Sequence, residues 1–509
     1  MSYDVIIIGG GATGLGVAVE AATRGYSTIL FEANDFGSGT SSKSTKLVHG
    51  GIRYLENFDF ALVKEGLNER ATFLNSAPHI AKVQGYLVPF YGLWDKLKYF
   101  LGIKLYDFLA SGKKLGSSVF LNKKQALKLA PELNPQSLRG GAVYYDGQFD
   151  DTRMLITLLR TFLQHGGQAF NYHEITGLIK NDALKVIGVR VHDKLNNNFF
   201  DIQGKVIINA TGVMTDSILD LDQPETPHKN VTAARGSHIV LDKKFFDSPH
   251  ALVIPKTIDD RILFVLPWHD KIVVGTTDIM VDQPCLEPDA SDLEIDFILD
   301  TLNKYTRSPV KKTDILSVFS GLRPLVKPAH KTNSAKISRK HEILYSISGI
   351  ISIVGGKWTI YRLMGEDTIN FAISKSLLPP SKSISQNLHL FGYTKDKIAY
   401  PLNVYGSDVT VLKEIQKEMS NQDKLHPELP YYAAEVIYQV RFEMAKTVED
   451  VLARRTRALF LNARYAMEAA ITVARLMAKE MGKNEYWVEQ QVEQFHAYAA
   501  KYVVVSENK

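Results

Sequence analysis

The sequence predicts an α/β protein: a parallel-sheet unit begins at the N-terminus, a mixed-sheet domain is inserted into it, and a helical domain follows. Three observations carry that reading. The apolar run YDVIIIGG (3–10) passes straight into a glycine-rich turn. Two later segments, KVIINATG (205–212) and ISIVGGKWTIYR (351–362), repeat the pattern of apolar strand followed by small residues. Toward the C-terminus, apolar residues recur at spacings of 3 and 4, the period of one helix face. A chain of 509 residues exceeds one core, so two or three domains are expected.

Composition narrows the class. Hydrophobic residues at 45% and charged residues at 23% place the chain among folded globular proteins. Sixty Lys and Arg against 55 Asp and Glu leave +5, a slight excess at this length. That charge permits an anionic ligand or membrane surface and argues weakly for nucleic acid. Cys285 is the sole cysteine, which excludes an internal disulfide and favours a reducing compartment; no Cys/His cluster suggests a metal site. No secretion signal precedes the first strand. No apolar run reaches the ~18–20 residues that span a bilayer, so membrane contact is expected to be peripheral.

The opening unit reads as a dinucleotide site. Tyr3–Ile8 is a short buried-type strand, and Gly9, Gly11 and Gly14 then form GxGxxG ahead of the helical run LGVAVEAATRG. Gly9 permits the tight turn, Gly11 leaves room for a pyrophosphate, and Gly14 lets helix and strand pack closely. The helix N-terminus attracts phosphate charge. A second strand, YSTILFE, ends at Glu32, placed to accept from an adenosine ribose and to repel a 2′-phosphate. Together these define a Rossmann-like unit, and the motif alone leaves NAD and FAD open. The stretch GTSSKSTKLVHGGIRYLE (39–56) follows directly, where an extended dinucleotide continues toward its reactive ring. No second GxGxxG exists for a separate nicotinamide cofactor. A P-loop reading of 351–362 fails, because Ile351 stands in place of the first glycine and Trp358 in place of Ser/Thr. Strand-to-glycine segments dispersed around one nucleotide fold suit a buried flavin, whose rings need close backbone approach.

The remaining elements follow in order. The flavin domain is expected to be discontinuous over 1–75, 150–220 and 325–380, with 76–149 and 221–324 forming a substrate domain over the ring. RILFVLPWHDKIVVGTTD (261–278) reads as a β-hairpin about a polar turn, and LPPSKSISQN (378–387) as a linker before a helical domain over 388–509. In that domain Val488, Val492, Phe495 and Ala499 form one stripe. Met467, Ile471, Ala474, Ala478 and Met481 form another, a core face closed by Gly482. WDKLKYFLGIKLYDFL (94–109) carries Trp94, Leu97, Leu101, Leu105 and Phe108 on one face among lysines. That pattern serves an interfacial helix or one packed on its own domain, and Gly102 weakens the helix.

The segments DVIIIGGGATGLG, GTSSKSTKLVHGGIRYLE, YYDGQFDDTRML, NATG, RGSHIVL, FVLPW, VGTTD, SGLRPL and GGKWTIYR resemble, in order over residues 4–362, the FAD-dependent glycerol-3-phosphate dehydrogenases. These enzymes sit within the wider D-amino-acid-oxidase-like flavoprotein group. There are departures. Val213-Met214-Thr215-Asp216 replaces an aromatic near a WxD pattern, an arginine precedes GSH where lysine is frequent, and Trp358 occupies a variable site. The calcium-loop extension of mitochondrial relatives is missing, which points to the shorter bacterial form.

The resemblance implies FAD as cofactor and sn-glycerol 3-phosphate as substrate, oxidised at C2 to dihydroxyacetone phosphate by hydride transfer to flavin N5. It implies a membrane quinone as electron acceptor and a cytoplasmic homodimer held peripherally on the inner face of the cell membrane. Arg53, Tyr54, Thr276, Arg323 and Arg339 are then expected on the substrate, arginine suiting phosphate by its paired donors. His238 is the expected base, with His49 a flavin-side contact. Lys357 is expected near the ring carbonyl or the substrate oxygens. Gly9, Gly11, Gly14 and Glu32 would hold the nucleotide end. Thr40, Ser41, Ser42 and Ser44 follow, then Gly50 and Gly51 beside His49. Thr211, Gly212, Gly355, Gly356, Trp358 and Thr359 would complete the flavin cradle. Asp150 and Asp151, beside Arg153, look structural, and no metal is expected. Rival readings are a glycerol-3-phosphate oxidase using oxygen, an RNA-associated flavoprotein, and a silent flavin-binding module. Retention of Arg53, His238, Arg323 and Lys357 argues against the last.

Overall fold

Burial on both faces makes Ser2–Ile8 (β1) a central strand rather than an edge. In the computed structural model it pairs in parallel with Asn198–Asn209 on one side and Thr28–Phe31 (β2) on the other. The structure describes residues 2–504 apart from 53–54, 56–58, 224, 226–227, 258–260, 328–339 and 420–422. Gln168–Phe170 extends the sheet beyond β2, and Ile351–Gly355 extends it beyond Asn198–Asn209, both in parallel. His341–Tyr345 closes that edge antiparallel. The three strands that run into small residues are therefore neighbours, and their carboxyl ends share one rim of the sheet. The helix Ala12–Thr23 (α1) covers one face together with Asp151–Gln164 and Tyr361–Ser374.

The second sheet is mixed. Val231–Asp242 pairs along its length with Ile315–Val326, and Lys271–Gly275, Leu263–Trp268, Ala251–Ile254, Ala81–Phe90 and Gly140–Phe149 follow in order. Ala251–Ile254 and Ala81–Phe90 run parallel, while the other pairs are antiparallel. The expected hairpin is Leu263–Trp268 with Lys271–Gly275, joined through His269 and Asp270 at φ 47° and 64°. Leu47–Val48 departs from the domain division expected from sequence. It leaves the N-terminal unit and becomes an edge strand of the second sheet, so the loop after β2 bridges both sheets.

The C-terminal region is helical, with Ala433–Phe442, Ala463–Met481 and Glu485–Ala499 its longer helices. Gly482 ends the second of these at φ 65°, as its position predicts. The expected Met-containing stripe is displaced. Ala466, Ala470, Val473, Ala474 and Met477 make the buried face, while Ile471 is 37% exposed. Small alanines let this helix approach its neighbours, which a count of large residues misses. Residues 378–387 form the expected linker, irregular but for a short turn at Ser385–Asn387, and it is packed rather than loose. Tyr26 and Arg24 donate to the carbonyls of Pro379 and Ser381, and Arg362 reaches Ser385 Oγ, so the segment lies along the first domain. Asp35, just past β2, accepts from both Arg454 and Arg455, three side chains each buried. Burial alone would raise the Asp35 carboxyl, and the two guanidiniums override it, holding the pKa at about 2.

The stripe on Leu93–Leu109 (α2) faces outward. Trp94 is 82% and Phe108 74% exposed, and Leu97, Leu101 and Leu105 are exposed with them. The opposite face seats Ile103 and Tyr106 in the core.

Candidate active site

A cavity of about 2290 Å³ is lined from both sheets. That exceeds the roughly 300–1,000 Å³ of a single-ligand pocket, so an extended ligand and a second molecule can share it. One end lies at the carboxyl rim of the first sheet. Gly9 takes φ +106°, and a Cβ on Gly14 would stand 1.9 Å from the Gly9 carbonyl oxygen, so glycine is required for α1 to start this close to β1. The α1 N-terminus therefore points into the cavity, the arrangement that receives a pyrophosphate. Glu32 lies just beyond β2 on the same wall. Its carboxylate accepts from the Gly10 and Asn34 amides at 2.7 and 2.9 Å, and burial raises its pKa.

The hydroxyl-rich loop is stitched to both sheets. Ser41 Oγ accepts from the Ala12 amide at 2.9 Å, the Trp358 indole donates to the Ser41 carbonyl at 2.9 Å, and Thr40 Oγ1 donates to the Leu322 carbonyl at 2.6 Å. Behind it lies a buried pair, Lys46 Nζ to Asp151 Oδ2 at 2.6 Å, with Ser44 Oγ donating to the same carboxylate. Burial pushes Lys46 down to about 8 against the pull of Asp151. Asp150 caps the following helix through the Arg153 amide, whereas the Arg153 guanidinium goes to Glu443. Both aspartates are structural, as expected, although Arg153's side chain is not their partner.

The loop, Thr211-Gly212, and the run Gly355 to Thr359 all reach the wall, along with His49 and Gly51. The His49 amide donates to Thr359 Oγ1 at 3.3 Å, tying two of these segments together. Ser42 and Gly50 lie behind this wall. Ser42 is buried with its hydroxyl on Gly39, Gly50 packs against Leu67 and Tyr106, and neither is on the wall. Gly14 also lies behind the wall, where its packing role places it.

Over the second sheet, His238, Thr276 and Arg323 converge. Arg323 Nη2 donates to Thr276 Oγ1 at 3.0 Å, and Nη1 meets Asp278 at 3.1 Å. Gly236 makes this possible, since a Cβ there would lie 2.4 Å from Arg323 Nη2. The His238 ring stacks on Phe319, with centroids 4.8 Å apart and planes at 10°. Its Nε2 is 3.0 Å from Thr45 Oγ1, and its Nδ1 is buried with no hydrogen-bond partner among the described residues. Burial, then the charges of Lys46 and Arg323, lower its pKa well below 6.5, so the ring is neutral rather than titrating near neutrality. Arg53, Tyr54 and Arg339 lie outside the described residues. Thr45 was not singled out from sequence. Its place in the hydroxyl-rich run was the signal, but its link to His238, 193 positions away, needs the fold.

Glycine turns on three neighbouring strands, a helix N-terminus and one continuous cavity define a dinucleotide-binding protein. The chain belongs to the FAD dependent oxidoreductase family, which matches residues 4–362. Residues 351–488 match the family described as C-terminal domain of alpha-glycerophosphate oxidase. Within this group the chain is similar to glycerol-3-phosphate dehydrogenases. It is 40% identical to the probable mitochondrial enzyme of Caenorhabditis elegans, covering 94% of this chain and 71% of that protein. It is 38% identical to the mitochondrial enzyme of Homo sapiens, covering 96% and 72%. Among solved structures, the glycerol-3-phosphate dehydrogenase from Bacillus halodurans complexed with FAD superimposes with a TM-score of 0.80. That match is at 27% identity and covers 99% of this chain and 95% of that one. Among the described residues there is no group of side chains able to hold a metal ion, and no helix long and apolar enough to cross a membrane.

Proposed function

We propose that this chain binds FAD and oxidises sn-glycerol 3-phosphate to dihydroxyacetone phosphate. The observation that carries the reading is one cavity joining the Gly9–Gly11–Glu32 end to the Arg323–Thr276–His238 cluster. Bound FAD supplies a hydride acceptor at N5 and afterwards a source of two electrons. The α1 N-terminus with Gly9 and Gly11 holds the pyrophosphate, and Glu32 takes the ribose. Thr40, Ser41, Ser44, Thr211-Gly212 and Gly355 to Thr359 hold the remainder, which makes residues 1–75, 150–220 and 325–380, apart from Leu47–Val48, the cofactor side and the second sheet the substrate side.

Arg323 receives the phosphate because its fork is already held open by Asp278 and Thr276, so little ordering is left for binding. Thr276 adds a hydroxyl, Arg53, Tyr54 and Arg339 are further substrate contacts, and Lys357 steadies developing negative charge. The C2 hydroxyl proton goes to His49, which lines the cavity. His238 must first give up Thr45 and has its other nitrogen buried, so it is assigned to hold the Thr45 loop against the substrate cluster. The electrons pass to a membrane quinone, which places the protein peripherally on the inner, cytoplasmic face of the cell membrane; a homodimer rests on the resemblance alone.

The test is anaerobic mixing of the FAD-loaded protein with glycerol 3-phosphate. Bleaching of the flavin supports the reading, and an unbleached flavin rejects it. Quinone or oxygen added afterwards separates dehydrogenase from oxidase.

A further inference from the structure

Residues 282–290 join the short strand Ile279–Val281, which pairs with Ala233–Arg235 of the second sheet, to the helix Asp292–Tyr305, capped by Ser291. Both ends are therefore fixed, and the stretch between them has no regular structure. Leu286 lines the cavity and is 39% exposed, so the wall there is one side chain carried on a loop. Its neighbour is the hydroxyl-rich loop of the cofactor side. A Cβ on Gly39 would lie 3.7 Å from Leu286 Cδ2.

Lys43 fastens these two loops together. A lysine beside a pyrophosphate position invites assignment to the phosphate, yet this one is buried and already committed. Its ammonium donates to the Ser38 carbonyl at 3.1 Å, the Leu286 carbonyl at 2.8 Å and Glu287 Oε2 at 2.5 Å. An ammonium has three N–H donors, so none is left for a ligand. Glu287 is held in turn from the other side. Tyr498, on the helix Glu485–Ala499, donates to Oε2 at 2.9 Å, and Tyr502, in the turn that follows, donates to Oε1 at 2.6 Å. Burial, foremost, holds both phenols well above the usual 10, so they stay protonated donors. Lys501 and Asp289 add a pair at 3.6 Å, exposed and therefore weak. One carboxylate thus ties the cofactor loop, the loop from the second sheet and the C-terminal helices. The tie is made of hydrogen bonds within a stretch anchored at both ends, so it can part without unfolding either anchor.

We infer that residues 282–290 are a strap that retains bound FAD, latched at Glu287 by Lys43 on one side and by Tyr498 and Tyr502 on the other. The inference rests on the FAD reading above and adds how the cofactor is kept. When the latch parts, the loop carrying Leu286 swings out about its two anchors and uncovers the cavity beside Gly39. Glu287, Tyr498 and Tyr502 are positioning residues: they act on the cofactor through Lys43 and Leu286 rather than by touching it. The C-terminal helices, remote in sequence from the dinucleotide motif, thereby take part in holding the cofactor.

The experiment compares FAD-loaded full-length wild type with Glu287→Gln and with the double variant Tyr498→Phe/Tyr502→Phe. FAD release is followed as the growth of free-flavin fluorescence after dilution. Amide hydrogen exchange at saturating FAD is followed over residues 282–290 and 9–13. Glu287→Gln should release FAD about ten- to a hundredfold faster, the range for losing one charge-assisted hydrogen bond. The tyrosine variant should also release it faster. In both, 282–290 should exchange faster while 9–13 stays as slow as in wild type, a pattern that general loosening of the site would not give. A folded Glu287→Gln that releases FAD at the wild-type rate overturns the strap, as does faster exchange spread equally over both segments. Release and exchange unchanged in the tyrosine variant overturn the C-terminal side of the latch. Wild type that takes up no FAD sinks the cofactor reading and the strap with it, whereas tight FAD with a release rate indifferent to Glu287 sinks the strap alone.

Discussion

Replacing Gly14 by alanine tests the reading of the nucleotide turn at its tightest point. The new Cβ would lie 1.9 Å from the Gly9 carbonyl oxygen, where ordinary contact begins at 3.4 Å. Its neighbour is backbone, so no side chain can swing aside and α1 itself must withdraw from β1. Overpacking of this kind costs about 1–3 kcal/mol, and a backbone collision belongs at the upper end. The gain from replacing a helical glycine offsets about 1 kcal/mol, leaving a net loss near 2 kcal/mol. Withdrawal also moves the α1 amides from the pyrophosphate position, so the same loss is expected in cofactor affinity, about thirtyfold. The assay is flavin content per protein after gel filtration, with FAD titration of the stripped protein followed by fluorescence. A Gly14→Ala protein that retains full FAD with unchanged affinity would refute the close α1–β1 approach as the basis of the site.

Arg323→Ala should raise KM for glycerol 3-phosphate with little change in flavin spectrum, by about 1.5–3 kcal/mol of lost charge-assisted contact; an unchanged KM removes it from the phosphate. His49→Ala should slow anaerobic flavin reduction by roughly 10²–10⁴-fold, and more than His238→Ala does; the reverse order returns the base to His238. Asp35→Asn strands two buried guanidiniums and should cost about 3–5 kcal/mol, lowering the melting temperature at pH 7. Because the Asp35 carboxyl is depressed to about 2, its contribution is present above pH 3.8 and lost as pH falls through 2, so the deficit should shrink in acid. Burial raises Glu435 from 4.5 to about 7, the opposite sign: its contribution is full below pH 4.5 and fades as pH rises through 7. Glu435→Gln mimics the neutral acid and should flatten that dependence, worth about 3 kcal/mol, in melts compared at pH 5 and 8.

Much of the site was legible because its parts are local. GxGxxG, its strand and its helix lie within one short run, and spacing alone specifies the turn. The hairpin at 263–275 and the Gly482 cap were legible for the same reason, since turn chemistry is local. Residues 378–387 form the irregular connection that Pro, Ser and Asn signal, but those residue types carry no information on whether the connection packs. The alanine face of 463–481 was missed because periodicity weighs large residues, whereas close helix approach selects small ones.

The sequence by itself determined the α/β class and the dinucleotide site, which rest on residue type and short-range spacing, and it carried the resemblance that singled out His49, His238, Thr276, Arg323 and Lys357. Only the tertiary structure decided which of these meet. Thr45 reaches His238, Lys46 reaches Asp151, and Asp35 reaches Arg454 and Arg455 across separations that no local pattern encodes. It also decided the orientation of the helix Leu93–Leu109. An amphipathic period is the same for a helix buried against its own domain and for one turned outward, and the difference lies in what its neighbours leave uncovered. Here Tyr99, Ile103 and Tyr106 take the interior, so Trp94, Leu97, Leu101 and Phe108 remain outside.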